Sequence, residues 1–197
     1  MRVGILGAGP FGLALAARLA RHEVPVRVTT RHVAEATERA HRYPVFAGRP
    51  ALLADMATVL ADADLLVLAL PYPVALRLSR RFPAFSAGKL LIDVTNPLFA
   101  REQGDPFGAG EGCLGIARAL PYVRIAKAFN TLTVAGLDSD APDYAPYATD
   151  DGTAADATES IARGIGLRPV RIGPLSCAAH LESAALVDRL TSGARLD

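Results

Sequence analysis

The stretch that decides the fold is Arg2–Gly12, RVGILGAGPFG, in which a short apolar run enters a turn of spaced glycines. The turn leads directly into Leu13–Ala20, whose alanine and leucine content favours a helix. A strand, the pattern Gly-x-Gly-x-x-Gly and a helix, in this order, are typical of a dinucleotide-binding unit. We therefore predict such a unit at the start of the chain.

Each glycine of this turn has a predicted role toward a pyrophosphate. Gly7 would form the tight turn, Gly9 would let the backbone approach the phosphates closely, and Gly12 would let the helix pack on the strand. The phosphates would lie at the helix N-terminus, where unpaired N–H groups and the positive end of the helix dipole attract them. The alternative is a glycine turn that binds nothing. The predicted cofactor-binding residues of the turn are Gly7, Ala8, Gly9, Pro10, Phe11 and Gly12.

The end of the next predicted strand, residues 24–30, indicates which nicotinamide cofactor fits. In a nicotinamide-binding fold this end faces the adenosine ribose, where an Asp or Glu would accept from the 2′-hydroxyl. Here Thr30 is followed by Arg31 and His32, and the first carboxylate is Glu35. A hydroxyl, a guanidinium and an imidazole suit a 2′-phosphate. We therefore predict NADP(H) rather than NAD(H), with Thr30, Arg31 and His32 as binding residues; a solvated Arg31 is the alternative.

The rest of the chain alternates short apolar strands with helices. This alternation is typical of an α/β fold with a doubly wound, mostly parallel, Rossmann-type sheet that has helices on both faces. The glycine-rich segment 104–112 has no hydrophobic period and is predicted as a surface loop of the kind that binds ligands. Further strands are predicted at 43–46, 65–70, 89–94, 123–129, 144–149 and 168–172, and helices at 33–41, 51–60, 74–81, 114–120, 154–163 and 176–190.

Composition limits the domain count and the class of partner. The chain has 197 residues, of which 51% are hydrophobic, and we expect a single NAD(P)-binding domain over residues 1–197, with a core to about residue 130 and a strand–helix extension over 131–197. A net charge of +1 without a run of Lys or Arg argues against a nucleic-acid partner. No apolar run reaches the roughly 18 residues of a membrane span. We therefore expect no membrane partner. Cys113 and Cys177 lack metal-ligand spacing, so we expect no metal. Two cysteines in a chain of this length are no disulfide framework, so we expect a cytoplasmic location.

Polar and proline residues follow three predicted strands at the edge where α/β sheets bind their ligands. Leu70 and Pro71 are predicted near the adenosine-side ribose, and Asn96 and Asn130 near the nicotinamide or a second ligand, as orienting residues. An asparagine that satisfies its own turn is the alternative for both. No catalytic residue is predicted, because hydride transfer between two rings mainly requires orientation and exclusion of water. Lys127 is predicted to be solvated or snorkelling, since strand alternation aims it away from its neighbours.

Several short motifs resemble those of a known family. They are Gly7–Gly12, Thr30–Arg31, Leu68–Pro71, Asp93–Pro97, Lys127–Thr131 and the run from Gly166–Pro169 through Gly173–Leu175 to Leu181–Glu182. With them the chain resembles, over nearly its whole length, the NADPH-dependent reductases of the deazaflavin coenzyme F420 and the dinucleotide-binding enzymes grouped with them. It is similar also to the reductase domains of the STEAP metalloreductases. The resemblance implies hydride exchange between NADPH and a deazaflavin or flavin.

Three functions are compatible with the sequence. The first is an NADP(H)-dependent oxidoreductase that uses coenzyme F420, FMN or FAD as its second, small-molecule redox ligand. The second is a non-catalytic regulatory module that binds NADPH. The third is a dehydrogenase of small hydroxyacids or imines, which would need an all-helical domain where the residues after Pro97 continue the strand–helix alternation. A homodimer is compatible with each of them.

Overall fold

The computed structural model describes residues 1–30, 33–47, 52–97, 112–139 and 143–191. Within these ranges the strands join in one eight-stranded sheet. They are β1 Val3–Leu6, β2 Val26–Thr29, β3 Leu53–Ala54, β4 Leu65–Leu68, β5 Leu90–Asp93, β6 Arg124–Ala128, β7 Tyr144–Ala148 and β8 Arg168–Gly173. Their order across the sheet is β3-β2-β1-β4-β5-β6-β7-β8.

All neighbouring strands from β3 to β6 run parallel, and β7 is antiparallel to β6. β8 is parallel to β7, so the last two strands run opposite to the others. The described helices are α1 Pro10–Arg21, α2 Val33–Ala40, α3 Met56–Asp62, α4 Tyr72–Arg81, α5 Gly112–Ala119, α6 Val134–Asp138, α7 Gly152–Gly164 and α8 Ala178–Thr191. None of the helices in the described ranges is long and apolar enough to cross a membrane.

The two faces of the sheet carry separate apolar clusters. Ile5 and Val67 pack on one face with residues of α1 and α7. Leu6 and Leu66 pack on the other face with residues of α3, α4 and α5. Burial on both faces explains why the parallel strands are continuous apolar runs instead of alternating ones. The predicted doubly wound, mostly parallel sheet with helices on both faces is confirmed.

The third strand lies at a different place in the chain from the prediction. Residues 43–46 are not a strand but contain a 3-10 turn, Pro44–Phe46, and β3 follows later as a two-residue strand. A proline at the start of this segment lacks the N–H that a strand ladder needs, whereas it suits the first turn of a helix.

Two helices differ from the prediction because of their caps. The helix predicted over 51–60 begins only at Met56, since Oδ1 of Asp55 accepts a backbone N–H of its first turn at 2.8 Å. The short helix α6 is not predicted, and the hydroxyl of Thr133 caps it at 2.9 Å. Apart from Gly112, which begins α5, the predicted loop 104–112 lies outside the described residues.

Arg18 joins the first helix to the ends of helices α6 and α7. Its side chain is fully buried, with a relative exposure of 1%. It donates to the carbonyl oxygens of Ile165, Gly136 and Ser139 at 2.8, 2.9 and 3.0 Å, near the C-terminal ends of α7 and α6. A cation suits these ends because helix carbonyls are unpaired there.

Candidate functional site

Two glycines of the turn Gly7–Gly12 are required by the protein itself. Gly7 has φ +122°, and a Cβ on it would lie 2.2 Å from the carbonyl oxygen of Ala69. A Cβ on Gly12 would lie 2.0 Å from the carbonyl oxygen of Gly7. Both distances are much shorter than a van der Waals contact. Any residue other than glycine at Gly7 or Gly12 would therefore clash with the backbone of the turn.

Gly9, between them, has no such internal reason to be glycine. Its backbone is extended, with φ −71° and ψ 175°, a conformation that any residue adopts. Apart from its two chain neighbours, a Cβ on it would meet no atom of the described residues within 4 Å. The space in front of Gly9 is therefore open, and a side chain there would stand where a ligand could approach the backbone.

The N-terminus of α1 faces the same side of the turn. Pro10 is in its first turn, no side chain caps it, and the first turn has no acidic residue. The helix has twelve residues, and its dipole places partial positive charge at this end. Unpaired N–H groups without a competing carboxylate favour an anion at this position.

The ends of neighbouring strands hold the turn in place. The N–H of Gly7 donates to the carbonyl of Thr29 at 3.2 Å, and the N–H of Ala69 donates to the carbonyl of Leu6 at 3.0 Å. The predicted ribose-side residue Leu70 is half-buried beside Gly7, and Pro71 is exposed as the N-cap of α4.

The predicted 2′-phosphate residues follow β2. Thr30 is half-buried directly after this strand, whereas Arg31 and His32 lie outside the described residues. Their assignment therefore stays a prediction.

Asn96 and Asn130 form a bonded pair, which we call the asparagine pair. Nδ2 of Asn96 donates to the carbonyl of Asn130 at 3.0 Å, and Nδ2 of Asn130 donates to Oδ1 of Asn96 at 2.9 Å. The second N–H of Asn130 donates to the carbonyl of Leu181 in α8 at 3.0 Å. The two residues follow β5 and β6, which are adjacent, so the sheet brings together two positions that are 34 residues apart.

The backbone around the asparagine pair is strained and leaves polar atoms unpaired. Phe129 is fully buried with φ +61°, a conformation that costs a residue other than glycine about 1–3 kcal/mol. Among the described residues, the buried atoms Oδ1 of Asn130 and Oγ1 of Thr95 have no hydrogen-bond partner. Each buried unpaired acceptor costs about 1–3 kcal/mol. Strain and unpaired atoms of this kind collect at functional sites.

The prediction for Lys127 is wrong, because this lysine is completely buried. Its Nζ lies 3.0 Å from Oδ2 of Asp93 and 3.1 Å from Oε1 of Glu182, and it also donates to the carbonyl of Thr95. The exposed side-chain fractions of Asp93, Lys127 and Glu182 are 0%, 0% and 8%. These three residues form what we call the buried charge cluster.

The buried charge cluster also fixes the start of α5. Oε1 of Glu182 accepts the N–H of Cys113 at 2.9 Å, and a Cβ on Gly112 would lie 2.2 Å from Oε2 of Glu182. Gly112 has φ +45°, so both its backbone conformation and the close carboxylate require glycine. The carboxylate at a helix N-terminus is also favoured by the helix dipole.

Burial and neighbouring charge oppose each other in this cluster. Burial by itself lowers the pKa of Lys127, but the charges of Asp93 and Glu182 outweigh it, so this pKa is raised and the ammonium stays charged. Burial also raises the pKa of the Cys113 thiol well above its usual range, with a further contribution from Asp93. The thiol therefore stays protonated and inert toward nucleophilic chemistry.

Sequence reasoning missed the cluster although one signal was present. Asp93 and Lys127 are opposite each other in the register of β5 and β6, and both interrupt apolar strands with a charge. Opposite charges at matching positions of adjacent strands favour a cross-strand pair. Each of the three residues also lies in one of the motifs that carry the family resemblance. The described residues include no group of His, Cys, Asp and Glu that could hold a metal ion.

Comparison with solved structures finds the same fold in several proteins. A hypothetical protein of Sinorhizobium meliloti is 24% identical with a TM-score of 0.74, covering 89% of this chain and 86% of that one. A protein of Arthrobacter sp. FB24, named provisionally as an F420-dependent NADP reductase, is 23% identical with a TM-score of 0.77, covering 98% and 94%. A reductive aminase of Aspergillus terreus, in complex with NADPH and ethyl-5-oxohexanoate, is 20% identical with a TM-score of 0.65, covering 96% of this chain but 61% of its own.

A family model gives the more specific match. Residues 2–97 match the model described as NADP oxidoreductase, coenzyme F420-dependent. No curated protein sequence matches the chain. The matched part holds the glycine turn, Leu70, Pro71, Asn96 and the carboxylate of Asp93. The resemblance to this family noted in the sequence is thereby confirmed over residues 2–97, which match the model of the coenzyme F420-dependent NADP oxidoreductases.

Proposed function

We propose that this chain is an NADP(H)-dependent oxidoreductase that transfers a hydride between NADPH and a deazaflavin such as coenzyme F420, or a flavin. The observation that carries the proposal is the open space at Gly9, between two glycines that the protein itself requires. A bound dinucleotide explains why this residue is glycine, because its pyrophosphate approaches the backbone where a side chain would otherwise lie. The family match over residues 2–97 supports both the cofactor and the redox reaction.

The residues around the turn fit NADPH. The N–H groups at the start of α1 would hold the pyrophosphate, with no carboxylate in the first turn to repel it. Leu70 and Pro71, beside the turn, would contact the adenosine-side ribose, and Thr30, Arg31 and His32 would contact the 2′-phosphate. The Aspergillus terreus reductive aminase, which has this fold, is a complex with NADPH, and this supports the choice of cofactor.

The chain contributes orientation more than acid–base chemistry. Bound NADPH would supply the hydride from its nicotinamide ring. The asparagine pair, on the ends of β5 and β6, would fix the ring through its carboxamide, because amide groups can both donate and accept. The buried ends of β5 and β6, next to the asparagine pair, would keep water from the ring.

A titration followed by an anaerobic turnover assay tests the proposal. Calorimetry with NADPH and NADH measures cofactor choice, and loss of NADPH absorbance on mixing with coenzyme F420, FMN or FAD measures hydride transfer. We expect tight NADPH binding, weak NADH binding and oxidation by at least one of the three acceptors. Binding of NADPH without oxidation by any of them would support the alternative, a regulatory module. Oxidation only by a cyclic imine or a 2-oxo acid would support a small-substrate dehydrogenase.

Assembly and location form the last part of the proposal. The protein would act as a homodimer in the cytoplasm, where both cysteines remain thiols, as Cys113 and Cys177 are here. Light scattering of the purified protein measures the assembly; a monomer at working concentration would contradict it.

A further inference from the structure

The backbone just before Asn96 is held from both sides by the buried charge cluster. Oδ1 of Asp93 accepts the N–H of Thr95 at 2.9 Å, and Nζ of Lys127 donates to the carbonyl of Thr95. Both polar groups of one peptide segment are therefore tied to buried charged groups. Asn96 follows directly, so its position depends on the cluster.

The other asparagine is connected to the same cluster through helix α8. The carbonyl of Leu181 accepts the second N–H of Asn130 at 3.0 Å. The next residue, Glu182, contacts Nζ of Lys127 at 3.1 Å and the N–H of Cys113 at 2.9 Å. Two consecutive residues of α8 thus touch both the asparagine pair and the charge cluster.

Stability alone does not account for three buried charges at this edge. Apolar side chains of similar volume stabilise a fold as well as a buried ion pair, without the desolvation penalty. Charged hydrogen bonds differ from apolar contacts in being directional, so they fix the backbone at a defined distance and angle. The strained Phe129, immediately before Asn130, indicates that this backbone is held in an unfavourable conformation.

We propose that Asp93, Lys127 and Glu182 are positioning residues that hold the asparagine pair at the geometry needed to bind an aromatic primary carboxamide, the nicotinamide of NADPH. The inference rests on the proposed function, because it presupposes NADPH at this edge of the sheet. The charged residues do not touch the cofactor. They act through the backbone of Thr95, through Leu181 and through the start of α5.

Substitutions at Glu182 test this positioning role with little risk to folding. Removal of its charge leaves Asp93 and Lys127 as a neutral pair, whereas Lys127→Met would leave two buried carboxylates and endanger the fold. Glu182→Gln keeps an oxygen that can accept from Lys127 and Cys113, and Glu182→Leu removes it. Arg18→Met is the matched control, since it removes a buried cation that donates to carbonyl groups at the ends of α6 and α7.

The measurement compares the dissociation constants of NADPH and of 2′-phospho-ADP-ribose, which lacks the nicotinamide ring. We expect the wild type to bind NADPH at least about tenfold more tightly than 2′-phospho-ADP-ribose. Glu182→Leu should bring this ratio to about one while 2′-phospho-ADP-ribose binds within about twofold of the wild type. Glu182→Gln should keep the wild-type ratio, and Arg18→Met should lower the melting temperature but keep the ratio.

The outcomes separate this inference from the proposed function. A wild type that binds neither ligand contradicts the proposed function itself. A folded Glu182→Leu protein that keeps the wild-type ratio, or a wild-type ratio of one, overturns the positioning role and leaves NADPH binding intact. An equal loss of the ratio in Arg18→Met would overturn it too, because the effect would then follow stability and not the place of the substitution.

Discussion

The glycine turn and the asparagine pair lie at the same edge of the sheet but are built in opposite ways. The turn is contained in six consecutive residues, Gly7–Gly12, and its shape depends on contacts with the ends of neighbouring strands. The asparagine pair is assembled from segments 34 and 51 residues apart, and it is connected to buried charges. The phosphate end of the predicted cofactor would thus contact residues that are consecutive in the sequence. The nicotinamide end would contact residues that are distant in the sequence and brought together by the fold.

This difference predicts that substitutions at the glycine turn and at the asparagine pair impair cofactor binding independently of each other. Backbone contacts specify the glycine turn, and Gly9 leaves open space there, so a side chain added at Gly9 should abolish binding without unfolding the protein. Side-chain contacts between β5, β6 and α8 specify the asparagine pair, so changes there should alter stability and ring orientation together.

The largest expected effect is on stability, from Lys127→Met. This substitution leaves the carboxylates of Asp93 and Glu182 buried without their cation, which should lower the free energy of unfolding by about 3–5 kcal/mol. Urea denaturation measures the change. Adding Glu182→Gln removes one of the two unpaired charges and should recover part of the loss. An unchanged midpoint for Lys127→Met would contradict the burial of this cluster.

Gly9→Val should abolish NADPH binding while the protein stays folded. A Cβ at this position meets no atom of the described residues beyond its chain neighbours, but the valine side chain would occupy the space proposed for the pyrophosphate, so we expect affinity to fall by about a hundredfold or more. Calorimetry measures the affinity and circular dichroism the fold. Gly152→Val is the control, because it adds the same side chain in open space at the start of α7. Equal NADPH affinity in the two variants would remove the basis for a phosphate site at the turn.

Arg31→Ala should weaken NADPH binding by about ten- to a hundredfold and leave NADH binding nearly unchanged. The reason is the loss of a charge-assisted hydrogen bond to the 2′-phosphate, which NADH lacks. Titrations with both cofactors measure the ratio of their affinities. If both affinities fall equally, Arg31 supports the strand end in general and does not select the phosphate.

Deletion of residues 104–110 should have the smallest effect on the cofactor. We propose that this glycine-rich segment covers the second ligand, so its removal should raise the Michaelis constant for the deazaflavin or flavin acceptor several-fold. The dissociation constant of NADPH should stay within about twofold, because the glycine turn and Arg31 are elsewhere in the sequence. A lost NADPH affinity, or unchanged acceptor kinetics, would mean that another surface covers the acceptor.

Local patterns predicted most of the fold, and long-range contacts account for what was missed. The apolar runs of β1, β4 and β5 and the glycine turn are predicted from neighbouring residues alone, because burial on both faces and tight turns leave direct signatures. β3 was misplaced, since a two-residue strand contains too few residues for a period.

The candidate site divides in the same way. Asn96 and Asn130 were predicted from their positions after strands, but their bond to each other was not. Lys127 was assigned wrongly, because strand alternation gives a direction and not a partner. Its partner Glu182 is 55 residues away and reaches it only through the packing of α8.

Helix α8 has a consequence for the order of folding. Its residues Leu181 and Glu182 contact Asn130, which follows β6, and the start of α5, across sequence separations of 51 and 69 residues. Such non-local contacts form late, since the chain between them must first be ordered. During synthesis, the residues of the glycine turn are therefore made early. The asparagine pair is completed only when α8 has left the ribosome and packed against the sheet. A nascent chain that ends before Leu181 should thus be unable to hold a nicotinamide ring in place.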